Sequence, residues 1–95
     1  MPPKILRHRP DVIAINDNGQ ICIGEAKTKN DIINNRTKAE LFDFSSYEFN
    51  GHKCLLIIGI PKSSQGGLNK VLCELSIEKN ENIEILLIPD ELINE

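Results

Sequence analysis

Aromatic residues are scarce in this chain: three Phe, one Tyr and no Trp make up 4% of 95 residues. So few ring faces argue against a surface that recognises single-stranded nucleic acid by stacking its bases. Cysteine is sparse too. Cys22, Cys54 and Cys73 are odd in number and lack Cys-x-x-Cys spacing. Each sits in an apolar stretch, which suits buried, reduced thiols better than a disulfide framework or a zinc site. The longest apolar run, Cys54 to Ile60, is interrupted by Gly59 and falls far short of a bilayer span. The segment Met1-Pro2-Pro3-Lys4-Ile5-Leu6-Arg7 has no apolar core of the secretory kind, so a cytoplasmic location is expected.

What remains is the composition of one folded domain, 40% hydrophobic and 26% charged, too short for a second core. The net charge of -3 hides an asymmetry. Residues 1–39 carry seven basic and four acidic side chains, and residues 40–95 carry four basic and ten acidic ones. A basic half beside an acidic half is compatible with a local phosphate-binding face.

Asp11 to Ile15 and Gln20 to Ala26 are β-branched, apolar runs separated by Asn16-Asp17-Asn18-Gly19, which predicts a hairpin. Asn30 to Phe49 reads as helical, most securely from Thr37, where Thr37-Lys38-Ala39-Glu40 has the form of a capping box. Ala39, Phe42, Ser46 and Phe49 would share the buried face, with Asn50-Gly51 as the stop. Lys53 to Ile60 reads as a strand covered on both faces. Ser63 to Gly67 reads as a flexible loop. Leu68, Val71, Leu72 and Leu75 give a second, core-facing helix up to about Asn80, and Ile83 to Ile88 a last strand. The expected architecture is α/β, in the order β-β-α-β-α-β, with helices covering a mixed sheet in two or three layers.

The hairpin register bears on chemistry. Glu25 and Lys27 share a strand face because side chains alternate with period two. A two-residue loop at Asn18-Gly19 would place Asp11 against Ala26, pointing away from Glu25. A three-residue loop, Asp17-Asn18-Gly19 with Gly19 left-handed, would place Asp11 opposite Glu25. The second register also gathers Ile13, Ile15, Ile21 and Ile23 on one face, so burial should select it. Two carboxylates about 5 Å apart, at an effective dielectric of about 20, repel by roughly 3 kcal/mol. Mg²⁺ or Mn²⁺ would remove that repulsion, and Lys27 could orient or deprotonate a water and stabilise charge on a phosphate. An ordinary strand end with a Lys-Glu pair is the alternative that residue types alone leave open.

Arg9-Pro10-Asp11-Val12-Ile13-Ala14-Ile15 followed by Ile21-Cys22-Ile23-Gly24-Glu25-Ala26-Lys27-Thr28 resembles the signature of the PD-(D/E)XK nuclease superfamily. The resemblance is nearest to its Holliday-junction-resolvase and restriction-endonuclease-like branches and covers about residues 7–60. It implies a restriction-endonuclease-like fold and a metal-dependent endonuclease that hydrolyses DNA phosphodiester bonds without a covalent intermediate. In that pattern Asp11, Glu25 and Lys27 are catalytic; Asp11, Glu25 and the Ala26 carbonyl hold Mg²⁺ or Mn²⁺, and Lys27 positions the attacking water.

Two departures are visible. Family members usually begin with a helix before the first strand, whereas only ten residues precede Asp11 here. The expectation is a trimmed domain, a minimal version completed by a second subunit, or an inactive remnant. The helix after Glu-x-Lys often carries a Gln or basic residue facing the site, and Arg36 or Lys38 would have to stand in.

Arg7, His8, Arg9, Lys29, Arg36 and Lys38 are the candidate nucleic-acid contacts, DNA being the expected partner and RNA equally admissible by charge. His52 should be at the surface. Gly66-Gly67 before a helix lacks the Gly-Lys-Ser/Thr ending of a phosphate loop and reads as a helix start. A non-catalytic nucleic-acid-binding or dimerisation module of the same fold is the rival function. A homodimer is expected, since a short domain without its first helix leaves one sheet face thinly covered.

Overall fold

The computed structural model describes residues 8–92. Strand β1 (Val12–Ile15) reverses into β2 (Ile21–Ala26), and helix α1 (Asn35–Ser46) leads into a small hairpin of β3 (Glu48–Phe49) and β4 (His52–Lys53). Then come β5 (Leu55–Pro61), a 3-10 turn at Lys62–Ser64, α2 (Gln65–Glu74), β6 (Ile83–Ile88) and a last 3-10 turn at Asp90–Leu92. The main sheet has the order β1-β2-β5-β6, antiparallel at β1-β2 and parallel elsewhere, so it is mixed and the class is α/β.

The first reversal is the three-residue loop. Ile13 pairs with Ile23 and Ile15 with Ile21, and Gly19 sits at φ 79°. Asn16 organises the turn with both backbone and side chain. Its carbonyl accepts from the Gly19 N–H at 2.9 Å, and its Oδ1 accepts from the N–H of Asn18 at 3.0 Å and of Gln20 at 2.9 Å. This is how Asn competes for backbone donors in a turn.

Burial alternates from Cys22 to Glu25 in β2 and from Leu55 to Ile60 in β5. Ile23, Leu56, Ile58 and Ile60 are buried with Leu41 and Phe44 of α1 and Leu68, Val71 and Leu72 of α2. The other face shows Val12 and Leu86 exposed, with Cys22, Leu55 and Ile57 half-buried. Among the described residues the domain is thus two layers, not three, and helices cover β5 on one face rather than both. Of the four isoleucines expected to be buried together, Ile23 is fully so, Ile13 and Ile21 are half-buried, and Ile15 is 68% exposed at the end of edge strand β1.

The first helix starts and faces differently from its sequence reading. Asn34, not Thr37, is its N-cap, accepting from the Thr37 N–H at 2.7 Å; Asn at this position satisfies an otherwise orphaned amide. Thr37 lies inside the helix, and the buried face carries Thr37, Glu40, Leu41 and Phe44, while Phe42 and Phe49 are exposed. Asn50 and Gly51, both at positive φ, form the two-residue turn of the β3–β4 hairpin rather than a helix stop. Ser63 to Gly67 is ordered as a 3-10 turn running into the first turn of α2, which ends at Glu74, short of Asn80. Asn82 ties the pieces: its Nδ2 donates to the carbonyls of Ser45 at 2.8 Å and Cys54 at 2.9 Å, pinning the end of α1 to the start of β5. All three cysteines are free, with Cys54 buried and Cys22 half-buried; Cys73 is exposed on α2, against expectation.

A Cβ at Gly19 would meet nothing within 4 Å, so a side chain there is opposed by backbone conformation alone. Gly19→Val should cost about 1 kcal/mol or more. Gly67→Ala, in open space within α2, should be neutral or gain up to about 1 kcal/mol. Urea denaturation of the two variants checks both signs.

Candidate active site

Asp11 precedes β1 by one residue and stands opposite Glu25, as the register requires. Its N–H donates to Glu25 Oε1 at 3.3 Å, and its own Oδ2 accepts from the Ala26 N–H at 2.9 Å. Ala26 therefore meets Asp11 through its amide. The Lys27 N–H donates to the Gly59 carbonyl at 2.9 Å, which carries the β2–β5 ladder past the end of β2 and fixes the Lys27 backbone. Lys27 Nζ then lies 3.7 Å from Glu25 Oε2 and 2.8 Å from Glu40 Oε1.

These groups edge an open, polar cleft of about 270 Å³ lined by Arg9, Asp11, Lys27, Asp31, Asn34, Arg36, Thr37 and Glu40. Glu25 lies beneath it, 3% exposed. Burial, and then the neighbouring Asp11 charge, push the Glu25 carboxyl up to about 7, against the pull of Lys27. A cation in place of the proton would stabilise the Glu25 carboxylate beside Asp11. Among the described residues no three His, Cys, Asp or Glu side chains stand close enough together to hold a metal ion. The chain thus offers a pair of carboxylates, which suits Mg²⁺, an ion that keeps several of its waters and takes one or two carboxylates plus phosphate oxygens.

The other candidates separate. Arg9 and Arg36 line the cleft. Lys38 points elsewhere and pairs with Glu74 of α2 at 2.9 Å. Lys29 lines a second cleft with Ile32, Ile33 and Ser64. His8 Nε2 lies 3.4 Å from Asp43 Oδ2 and its ring meets Phe44 edge-on, outside the cleft lining. Arg7 lies outside the described residues. His52 is exposed, as expected. So the helix residue that faces Lys27 is neither Arg36 nor Lys38 but an acid, Glu40. Its signal was the stripe Thr37-Leu41-Phe44, visible once the helix is phased on Leu41 and Phe44 instead of Ala39 and Phe42.

The raised Glu25 carboxyl has a signed consequence for stability. Below about pH 4.5 the group is protonated in folded and unfolded chains alike, and its contribution is fully present. As the pH climbs from 4.5 to about 7, the unfolded chain loses the proton that the folded one keeps, so stability falls and then levels off. The drop is at most about 3 kcal/mol, and less where solvent in the cleft screens the carboxylate. Glu25→Gln should flatten it and make the metal-free protein more stable than wild type at pH 8 but not at pH 4, as read by urea denaturation at both pH values.

No protein-family model matches the chain, and no curated protein and no solved structure matches it.

Proposed function

We propose that the chain is a Mg²⁺- or Mn²⁺-dependent nuclease domain that hydrolyses phosphodiester bonds in DNA, of the PD-(D/E)XK kind that its sequence resembles. The observation that carries the reading is the apposition of Asp11 and Glu25 at the end of β2, with Lys27 beside them in a polar cleft. Asp11 and Glu25 would hold the cation, with the Ala26 carbonyl as the candidate backbone ligand. A bound cation supplies Lewis acidity at the phosphate. Asp11 is fixed for this by the Ala26 amide, and Glu25 by its burial.

Lys27 is an ammonium with three donors. It stands where it can bind a phosphate oxygen and orient water, and its charge offsets that gathering on a phosphate under attack. Arg9 and Arg36 on the cleft lining suit neighbouring backbone phosphates. RNA fits the same charges.

One observation favours a second reading, a non-catalytic nucleic-acid-binding or dimerisation module. The Lys27–Glu40 pair at 2.8 Å, with the Glu25 carboxyl pushed up to about 7, lets the cluster offset much of its charge without a metal. The open sheet face with Val12 and Leu86 exposed would be the surface through which such a module pairs with a second copy.

Incubation with plasmid, branched and single-stranded DNA in millimolar Mg²⁺ or Mn²⁺ separates the two. Wild type should nick or cut at least one substrate, EDTA should abolish the activity, and Lys27→Ala should lower it by roughly two to three orders of magnitude. Wild type that binds DNA but cleaves none of the substrates in either metal would overturn the nuclease reading in favour of the module.

A further inference from the structure

Glu40 is an acid on the buried face of α1, 6% exposed, among residues that otherwise pack. An isolated carboxylate in that position is unfavourable unless paired. Its partner is Lys27 Nζ at 2.8 Å, the length of a strong, charge-assisted hydrogen bond. The geometry is held from both sides. Lys27 is fixed by the backbone bond to Gly59, and α1 by Leu41 and Phe44 in the core and by Asn82 at its end.

We propose that Glu40 is the positioning residue of the cleft: by holding one donor of the Lys27 ammonium it aims the others toward Glu25 and the cleft space beside Asp11. The inference rests on the nuclease reading for its consequence, but the positioning itself is a property of the folded chain. Three donors are available on the ammonium. One is taken by Glu40, and Glu25 Oε2 at 3.7 Å lies in the direction of a second. The remaining donor faces the cleft that Lys27 and Asp11 both line. Without Glu40 the flexible four-carbon stem of Lys27 has no strong anchor, and its head is free to swing into solvent.

An acid at position 40 suits this role, where the family resemblance implies a Gln or a base. A basic residue at position 40 would repel Lys27, and a Gln would hold it with a neutral, weaker acceptor. Arg36 and Lys38 cannot replace this role, since Arg36 is itself cationic and Lys38 is paired with Glu74.

The test uses the whole chain and two substitutions, Glu40→Gln and Glu40→Ala, with the fold of each checked by circular dichroism. Reductive methylation with formaldehyde and borohydride, read at each lysine by peptide mass spectrometry, reports how free the Lys27 amine is, with exposed Lys53 as the internal reference. In Glu40→Ala, Lys27 should be modified about tenfold faster than in wild type, with Glu40→Gln in between because an acceptor is retained. In cleavage assays kcat should fall in the order wild type, Glu40→Gln, Glu40→Ala, with KM for DNA unchanged. A Lys27 modification rate that does not change in folded Glu40→Ala overturns the positioning role, as does a wild-type kcat in that variant. If wild type cleaves nothing, the nuclease reading falls and the methylation arm alone still decides whether Glu40 positions Lys27.

Discussion

The turn at Asn16 to Gln20 is the constraint on which the site depends. Asn16 binds the amides of Asn18 and Gln20 through its side chain and that of Gly19 through its carbonyl, while Gly19 takes the left-handed conformation that closes the loop. One residue fewer in the loop would turn β1 over relative to β2. Ile13 would then leave the face it shares with Ile23, and Asp11 would leave Glu25. The local hydrogen bonding of a surface turn thus sets which carboxylates meet four residue pairs away.

From that register the electrostatics follow. Both helices lie on the face that buries Ile23, Leu56 and Ile58, so α1 runs over the end of β2 and brings Glu40 to the same place as Asp11 and Glu25. Two carboxylates, Glu25 and Glu40, flank one ammonium, and Asp11 adds a third acid beside Glu25. The structure resolves this excess of acid by seating Glu40 against Lys27 and by leaving Glu25 protonated up to about pH 7. Lys27 is shared between holding α1 to the sheet and facing the cleft. Desolvation of such charges commonly outweighs their attraction, so the cluster is a weak source of stability.

Much of this was legible in the residues, and unevenly so. Strand β6 and the hairpin carried period-two or continuous apolar patterns flanked by Asn, Gly or Pro, and those signals are local. The register followed from asking which pairing would group the isoleucines, though Ile15 proved exposed because the covering layer does not bury the end of an edge strand. The start of α1 is ambiguous in the sequence because Thr37 and Asn34 are both good caps and only Asn34 meets a free amide. Its buried face is ambiguous because Phe42 and Phe49 are as apolar as Leu41 and Phe44, and only tertiary packing chooses between them. Glu40 is hidden for the same reason: an acid on a helix reads as solvated until the helix is phased against the sheet. The one-sided cover of β5 was illegible because a continuous apolar run looks the same whether one face or two are covered.

On the proposed reading, Asp11 and Glu25 form a divalent-cation site created by the hairpin register. Calorimetric titration of Mg²⁺ at pH 8 into wild type, Asp11→Asn and Glu25→Gln tests it most directly. Wild type should bind at millimolar metal or below, and each variant should lose at least about tenfold in affinity through the removal of one of two carboxylate ligands. Absence of binding by folded wild type at millimolar Mg²⁺, or binding that survives Asp11→Asn unchanged, would contradict it.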